Sequence, residues 1–131
     1  MASRVRWVDF DCADPYAVAC FWAEALGLRH DPDNKPGVEE CALLSGADVI
    51  EGGLLFQRVS EGKVVKNRVH LDLQPTDRTR NEEVERLLGL GATLITDRRN
   101  PDGTGWAVLA DPEGNEFCVE RSGQERAAAG G

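Results

Sequence analysis

Arg68, His70 and Asp72 alternate with Val69, Leu71 and Leu73. A period of two is the pattern of a strand with unlike faces, so guanidinium, imidazole and carboxylate fall on one side. An imidazole beside a carboxylate suits general acid or base work, and an arginine offers a forked donor to an anionic group. A near copy lies close to the N-terminus, where Trp7, Asp9 and Asp11 alternate with Val8, Phe10 and Cys12. Trp7, and Trp106 further on, each offer a flat apolar surface with one donor, suited to stacking a planar ligand. Core packing explains either indole equally well.

Three accounts of these residues stay open from the sequence. Arg68, His70 and the aspartates can form a satisfied buried network that fixes how two halves of the chain meet. His70, tuned by Asp9 or Asp72, can instead be the general acid or base of a cavity. Finally, His70 with two aspartates has the ligand types for a metal, although a single imidazole is a thin donor set.

Two repeated units position these residues. Each polar strand is followed by a helical pattern and then by short apolar runs broken by Gly, Asp or Pro, which predicts β-α-β-β-β twice, in units 5–60 and 66–121. In the first, Asp14 is an N-cap with Pro15 at the first helical position, and Val18, Phe21, Trp22, Ala25 and Leu26 make an apolar stripe ending at Gly27. Helices are expected over 14–26 and about 77–89; in the latter Val84, Leu87 and Leu88 face inward, and Arg78, Arg80, Glu82, Glu83, Glu85 and Arg86 face largely outward. Strands are expected over 5–12, 38–45, 54–59, 68–73, 93–97, 106–110 and 116–121, with an unresolved turn over 45–53. Residues 30–37 read as a surface loop with His30 in solvent, 100–105 and 111–115 as tight turns, and 122–131 as a disordered tail.

At 131 residues and 41% hydrophobic, the chain is long enough for one domain with a real core. A net charge of −8 argues against nucleic acid and membrane surfaces as partners. No apolar run reaches a membrane span and no signal-peptide core is present, so a soluble, cytoplasmic protein is expected. Cys12, Cys20, Cys41 and Cys118 lie far apart without a C-x-x-C pair, which points to reduced, mostly buried thiols. Lys63, Lys66 and Arg68 form a basic run whose default is solvated charge.

Four features together resemble the vicinal oxygen chelate superfamily, in its glyoxalase-like branch. They are the Asp14-Pro15 helix start, the Phe21-Trp22…Leu26-Gly27 helix end, the strand from Asn67 to Asp72, and the closing hairpin from Asp111 to Phe117. The resemblance spans residues 5–121. It implies an α+β fold of two β-α-β-β-β units forming a curved, half-open barrel-like sheet with helices on the convex side, and a homodimer.

Enzymes of this superfamily hold one divalent metal with His and Glu side chains from the first and last strand of each half. Matched by the resemblance, those positions here carry Trp7, Gln57, Arg68 and Cys118. Tryptophan and arginine do not ligate divalent cations and glutamine is a weak ligand. No metal and no cofactor is therefore expected at that position. The resemblance then favours the drug-sequestering members, with Trp7, Gln57, Arg68, His70 and Trp106 lining a pocket for a small planar organic molecule. The alternatives are metal-independent catalysis through His70 with Asp9 or Asp72, and a displaced-metal lyase or dioxygenase.

Overall fold

A computed structural model describes residues 2–46 and 50–130. The chain divides into two compact units, residues 1–64 and 65–131. The boundary falls in the basic linker.

In the first unit β1 (Val5–Cys12) leads into α1 (Pro15–Leu26), then β2 (Arg29–His30), β3 (Glu40–Leu44) and β4 (Ile50–Arg58). Its sheet runs β1-β4-β3-β2, with β1 parallel to β4 and the other pairs antiparallel. Asp14 caps α1 by accepting from the Ala17 N–H, Pro15 occupies the first turn, and Gly27 ends the helix at φ 66°. Val18, Phe21, Trp22 and Ala25 are buried as the spacing predicts, whereas Leu26, the last residue of the helix, is 36% exposed. Phe56, Leu43, Cys41 and Leu54 meet that helix from the sheet. Phe10 bridges them, 5.6 Å from Trp22 and 5.1 Å from Phe56 between ring centroids.

The second unit repeats the order: β5 (Asp72–Leu73), α2 (Arg80–Leu90), β6 (Thr93–Arg99), β7 (Gly105–Ala110) and β8 (Glu116–Val119). Its sheet runs β5-β8-β7-β6, again with the first and last strands parallel. Val84 and Leu87 of α2, with Leu109, Phe117 and Val119, form its core. The fold is α+β, two β-α-β-β-β units built on open four-stranded sheets. Among the described residues no helix is long and apolar enough to cross a membrane.

Several expectations need correction. Only Asp72 and Leu73 of the 68–73 run form a strand. Asp72 pairs with Cys118, so continuing that parallel register backwards would set Arg68 opposite Gly114, inside the tight turn, where no ladder exists. β4 starts at Ile50, earlier than expected, and the middle of the 45–53 turn lies outside the described residues. α2 begins only at Arg80, because Thr79 and Glu82 form a reciprocal capping box. Arg80 and Glu83 are buried, at 4% and 7% exposure, rather than turned outward. Arg80 Nη1 donates to the carbonyls of Gly103, Thr104 and Gly105, and Glu83 accepts from Arg86 at 2.7 and 2.9 Å.

His30 belongs to a short strand and is half-buried, its Nδ1 2.8 Å from the Asn34 amide, which also bridges to Ala42. The expected disordered tail holds a helix, α3 (Gly123–Ala128), started by a Ser122–Glu125 capping box. Glu125 also accepts from the Arg80 N–H at 2.7 Å, which ties α3 to the start of α2. The hairpin turn is as expected: the buried Asp111 carboxylate accepts from the Glu113 and Asn115 N–H groups and from the Asn115 amide.

Candidate functional site

Alternation along the second sheet separates two faces. Leu73, Phe117, Val119, Ala107 and Leu109 are buried. Asp72, Cys118, Val108 and Thr96 are successive register partners, so they form one row across all four strands on the opposite face. That row lines a groove of about 900 Å³. Trp106 and Arg98, themselves register partners, extend its lining. Directly opposed residues bring their side chains together on one face, which places an indole that is 47% exposed beside a guanidinium. Among the described residues the Arg98 side chain makes neither an ion pair nor a hydrogen bond.

The groove differs in charge from the chain that carries it. Four cationic side chains, Lys66, Arg98, Arg121 and Arg126, line it against the three carboxylates of Asp72, Glu116 and Glu120. Of these, Arg126 is held by Glu120 at 3.0 Å. In a protein of net charge −8 this is a local excess of positive charge.

His70 reaches the same groove from the segment before β5. Its Nε2 lies 3.4 Å from Asp72 Oδ1, with both side chains about half exposed. Cys118, half-buried between its neighbours, completes a cluster in which one ligand atom from each of the three residues lies within 4.8 Å of the others. Burial first, and then the charge of Asp72, push the Cys118 thiol above its ordinary pKa, while Lys66 pulls it back in part. The thiol is thereby held protonated, which does not suit a free nucleophile.

Of the residues singled out in the sequence, His70, Asp72 and Trp106 come together here. Arg68 is exposed and does not line the groove. Trp7, Asp9 and Gln57 belong to the first unit, where Trp7, Asp9 and Asp11 do share the β1 face. The Trp7 indole packs on Gly52, so close that a Cβ there would meet it at 2.8 Å. Gln57 donates to Glu40 at 3.1 Å, and Asp9 is exposed. Arg98 lies one residue past the strand expected over 93–97; β6 runs on to Arg99 and sets Arg98 opposite Trp106.

The fold family implies a divalent metal, and the positions matched to it in the sequence carry Trp7, Gln57, Arg68 and Cys118. Trp7 packs its ring on backbone, the Gln57 amide is engaged by Glu40, and Arg68 is a cation. Cys118 alone supplies an anionic donor.

The sequence pattern of the glyoxalase-like domain family matches residues 7–120. The chain belongs to that family, within the vicinal oxygen chelate superfamily. No curated protein sequence matches it. Among solved structures it is similar to a glyoxalase/bleomycin resistance/dioxygenase family enzyme from Burkholderia phytofirmans PsJN, at 20% identity and TM-score 0.63, covering 89% of this chain and 97% of that one. It is similar also to lactoylglutathione lyase from Agrobacterium tumefaciens, at 18% identity and TM-score 0.59, over 95% and 96% of the two chains. A third is a variant of the fosfomycin resistance protein FosX from Listeria monocytogenes, complexed with Mn(II) and 1S,2S-dihydroxypropylphosphonic acid; identity is 13% and TM-score 0.67, over 98% and 99%. At such identities the likeness is one of fold.

Proposed function

We propose that this protein binds a small, planar organic molecule bearing an anionic group in the groove of its second unit, and holds it without turnover. The observation that carries this is the Arg98–Trp106 pair, an exposed indole beside a guanidinium that has no side-chain partner among the described residues. The indole supplies a stacking face and the guanidinium charge-assisted hydrogen bonds. The surrounding excess of cations favours an anion over a neutral molecule. A fold that in the Listeria relative accommodates a phosphonate has room for a small anionic molecule. Sequestration is favoured over catalysis because the positions matched to the superfamily's metal in the sequence carry Trp7, Gln57, Arg68 and Cys118.

Quenching of tryptophan fluorescence by a panel of aromatic carboxylates and their neutral amides tests this. Trp22 is buried, so Trp7 and Trp106 are the indoles open to a ligand. We expect quenching by the acids, loss of most of it in Trp106→Phe, its retention in Trp7→Phe, and affinity weakened roughly tenfold or more in Arg98→Ala. Quenching lost in Trp7→Phe and kept in Trp106→Phe would overturn this assignment, as would equal affinity for acids and amides.

A second reading has its own observation, the His70–Asp72 contact at 3.4 Å. An imidazole beside a carboxylate suits general acid or base work. A His70→Ala variant that keeps ligand affinity but abolishes product formation from a bound ligand would establish it over sequestration.

A further inference from the structure

An acid held by Arg98 against the Trp106 indole meets a second guanidinium on the far side of the ring. Arg98 is the register partner of Trp106 on β6. Continuing the β7–β8 register one residue past Ala107 and Val119 sets Glu120 against Trp106 on the other side. Neighbouring strands lie about 4.8 Å apart, so the backbones of Arg98 and Glu120 stand roughly 10 Å apart with the indole between them. Arg121 follows Glu120 in the chain and lines the same groove.

Arg121 is half-buried, and among the described residues its side chain makes neither an ion pair nor a hydrogen bond. Taking a guanidinium partly out of water without a partner costs free energy that a bound anion would offset. The carboxylates around it are already engaged. Glu120 is held by Arg126 at 3.0 Å, and the Thr104 hydroxyl and N–H donate to Asp102 at 2.6 and 3.0 Å. Elsewhere in the groove Lys66 stands against the carboxylates of Asp72 and Glu116, so the cationic excess gathers around Trp106. We propose, building on the binding role above, that the ligand is a dianion, an aromatic molecule with acidic groups at opposite edges of its ring, one on Arg98 and the other on Arg121. Arg121 is then the residue that selects a diacid over a monoacid. Two acids on adjacent ring atoms would leave one guanidinium unmet, because the two cations approach the indole from opposite sides.

Terephthalate, its monoamide and phthalate are the probes, titrated into the full chain and followed by the quenching that Trp106→Phe removes. The monoamide keeps the shape of the diacid and loses one charge. Terephthalate should bind about tenfold or more tighter than the monoamide, the effect of one charge-assisted contact. It should also bind tighter than phthalate, and added salt should weaken it more than the monoamide. Arg121→Ala should remove the preference for the diacid and leave the affinity for the monoamide unchanged, and Arg121→Lys should restore part of the preference. Equal affinity for terephthalate and its monoamide overturns the dianion while leaving the binding role in place. A preference that survives Arg121→Ala overturns the assignment to Arg121, and phthalate bound as tightly as terephthalate overturns the placement at opposite edges. The wild-type comparison of diacid and monoamide decides the charge of the ligand even where Arg121→Ala folds poorly. If neither compound quenches Trp106, the binding role and the dianion fall together.

Discussion

Asp97 and Arg99 on β6 show how a local pair ties charge to pH. Arg99 donates to the Asp97 carboxylate through its side chain at 2.9 Å and its backbone N–H at 3.0 Å. Those bonds hold the Asp97 pKa down to about 2. A carboxyl whose folded value is depressed contributes stability that is full above its unfolded value near 4 and is lost as pH falls through the folded one. Asp97→Asn should therefore be less stable than wild type at neutral pH, with the difference vanishing below about pH 2. Side-chain carboxyl titration by NMR checks the premise, and a midpoint at the ordinary aspartate value would refute it. Arg80 is the buried counterpart. Its Nη1 serves three carbonyls of the 103–105 turn, and Arg80→Met leaves them without that donor inside the protein. A loss of about 1–3 kcal/mol in urea unfolding is expected; a change no larger than that of an ordinary surface substitution would show that water replaces the guanidinium.

At the scale of elements, what was legible in the sequence was whatever rests on local chemistry. Asp14-Pro15 and Gly27 bracket α1 because capping and positive φ are decided within a few residues. The Asp111 turn could be read for the same reason. The second polar strand could not, because its alternation is real in sequence while a strand needs a partner, and β8 is only four residues long. This one non-local fact moved Arg68 out of the candidate site and left His70 and Asp72 in it. The burial of Arg80 was equally hidden, since three carbonyls from a distant turn supply its partners. The helix start of α2 is likewise local, and Thr79→Ala, which removes half of the capping box, should cost about 1 kcal/mol. The core of the second unit is the larger lever: Leu87, with no exposure at all, should cost about 2–5 kcal/mol when replaced by alanine. Chemical denaturation of the two variants side by side tests the ranking, which fails if the cap proves the more costly loss.

At the scale of the whole molecule, the segment joining the two units is unusual in what it exposes. Val64, Val65 and Val69 are 91%, 75% and 80% exposed. Only Lys66, Asn67 and Arg68 separate the last two, and the whole run lies outside any helix or strand. Three β-branched apolar side chains held in water by one short segment are a liability unless something covers them. β6 adds Leu94 and Ile95, 39% and 52% exposed, on a strand that ends its sheet. We propose that a second copy of the chain covers this segment, making the protein a homodimer. The cover is a copy rather than an unlike partner because the segment's basic side chains, Lys63, Lys66 and Arg68, complement a chain whose net charge is −8. Light scattering across micromolar concentrations should give twice the 14.3 kDa chain mass. Val64→Lys with Val69→Lys should shift the population toward monomer while leaving far-ultraviolet circular dichroism unchanged, since neither valine belongs to a core. A wild-type monomer would refute the dimer, and a dimer indifferent to both lysines would move the interface away from the linker.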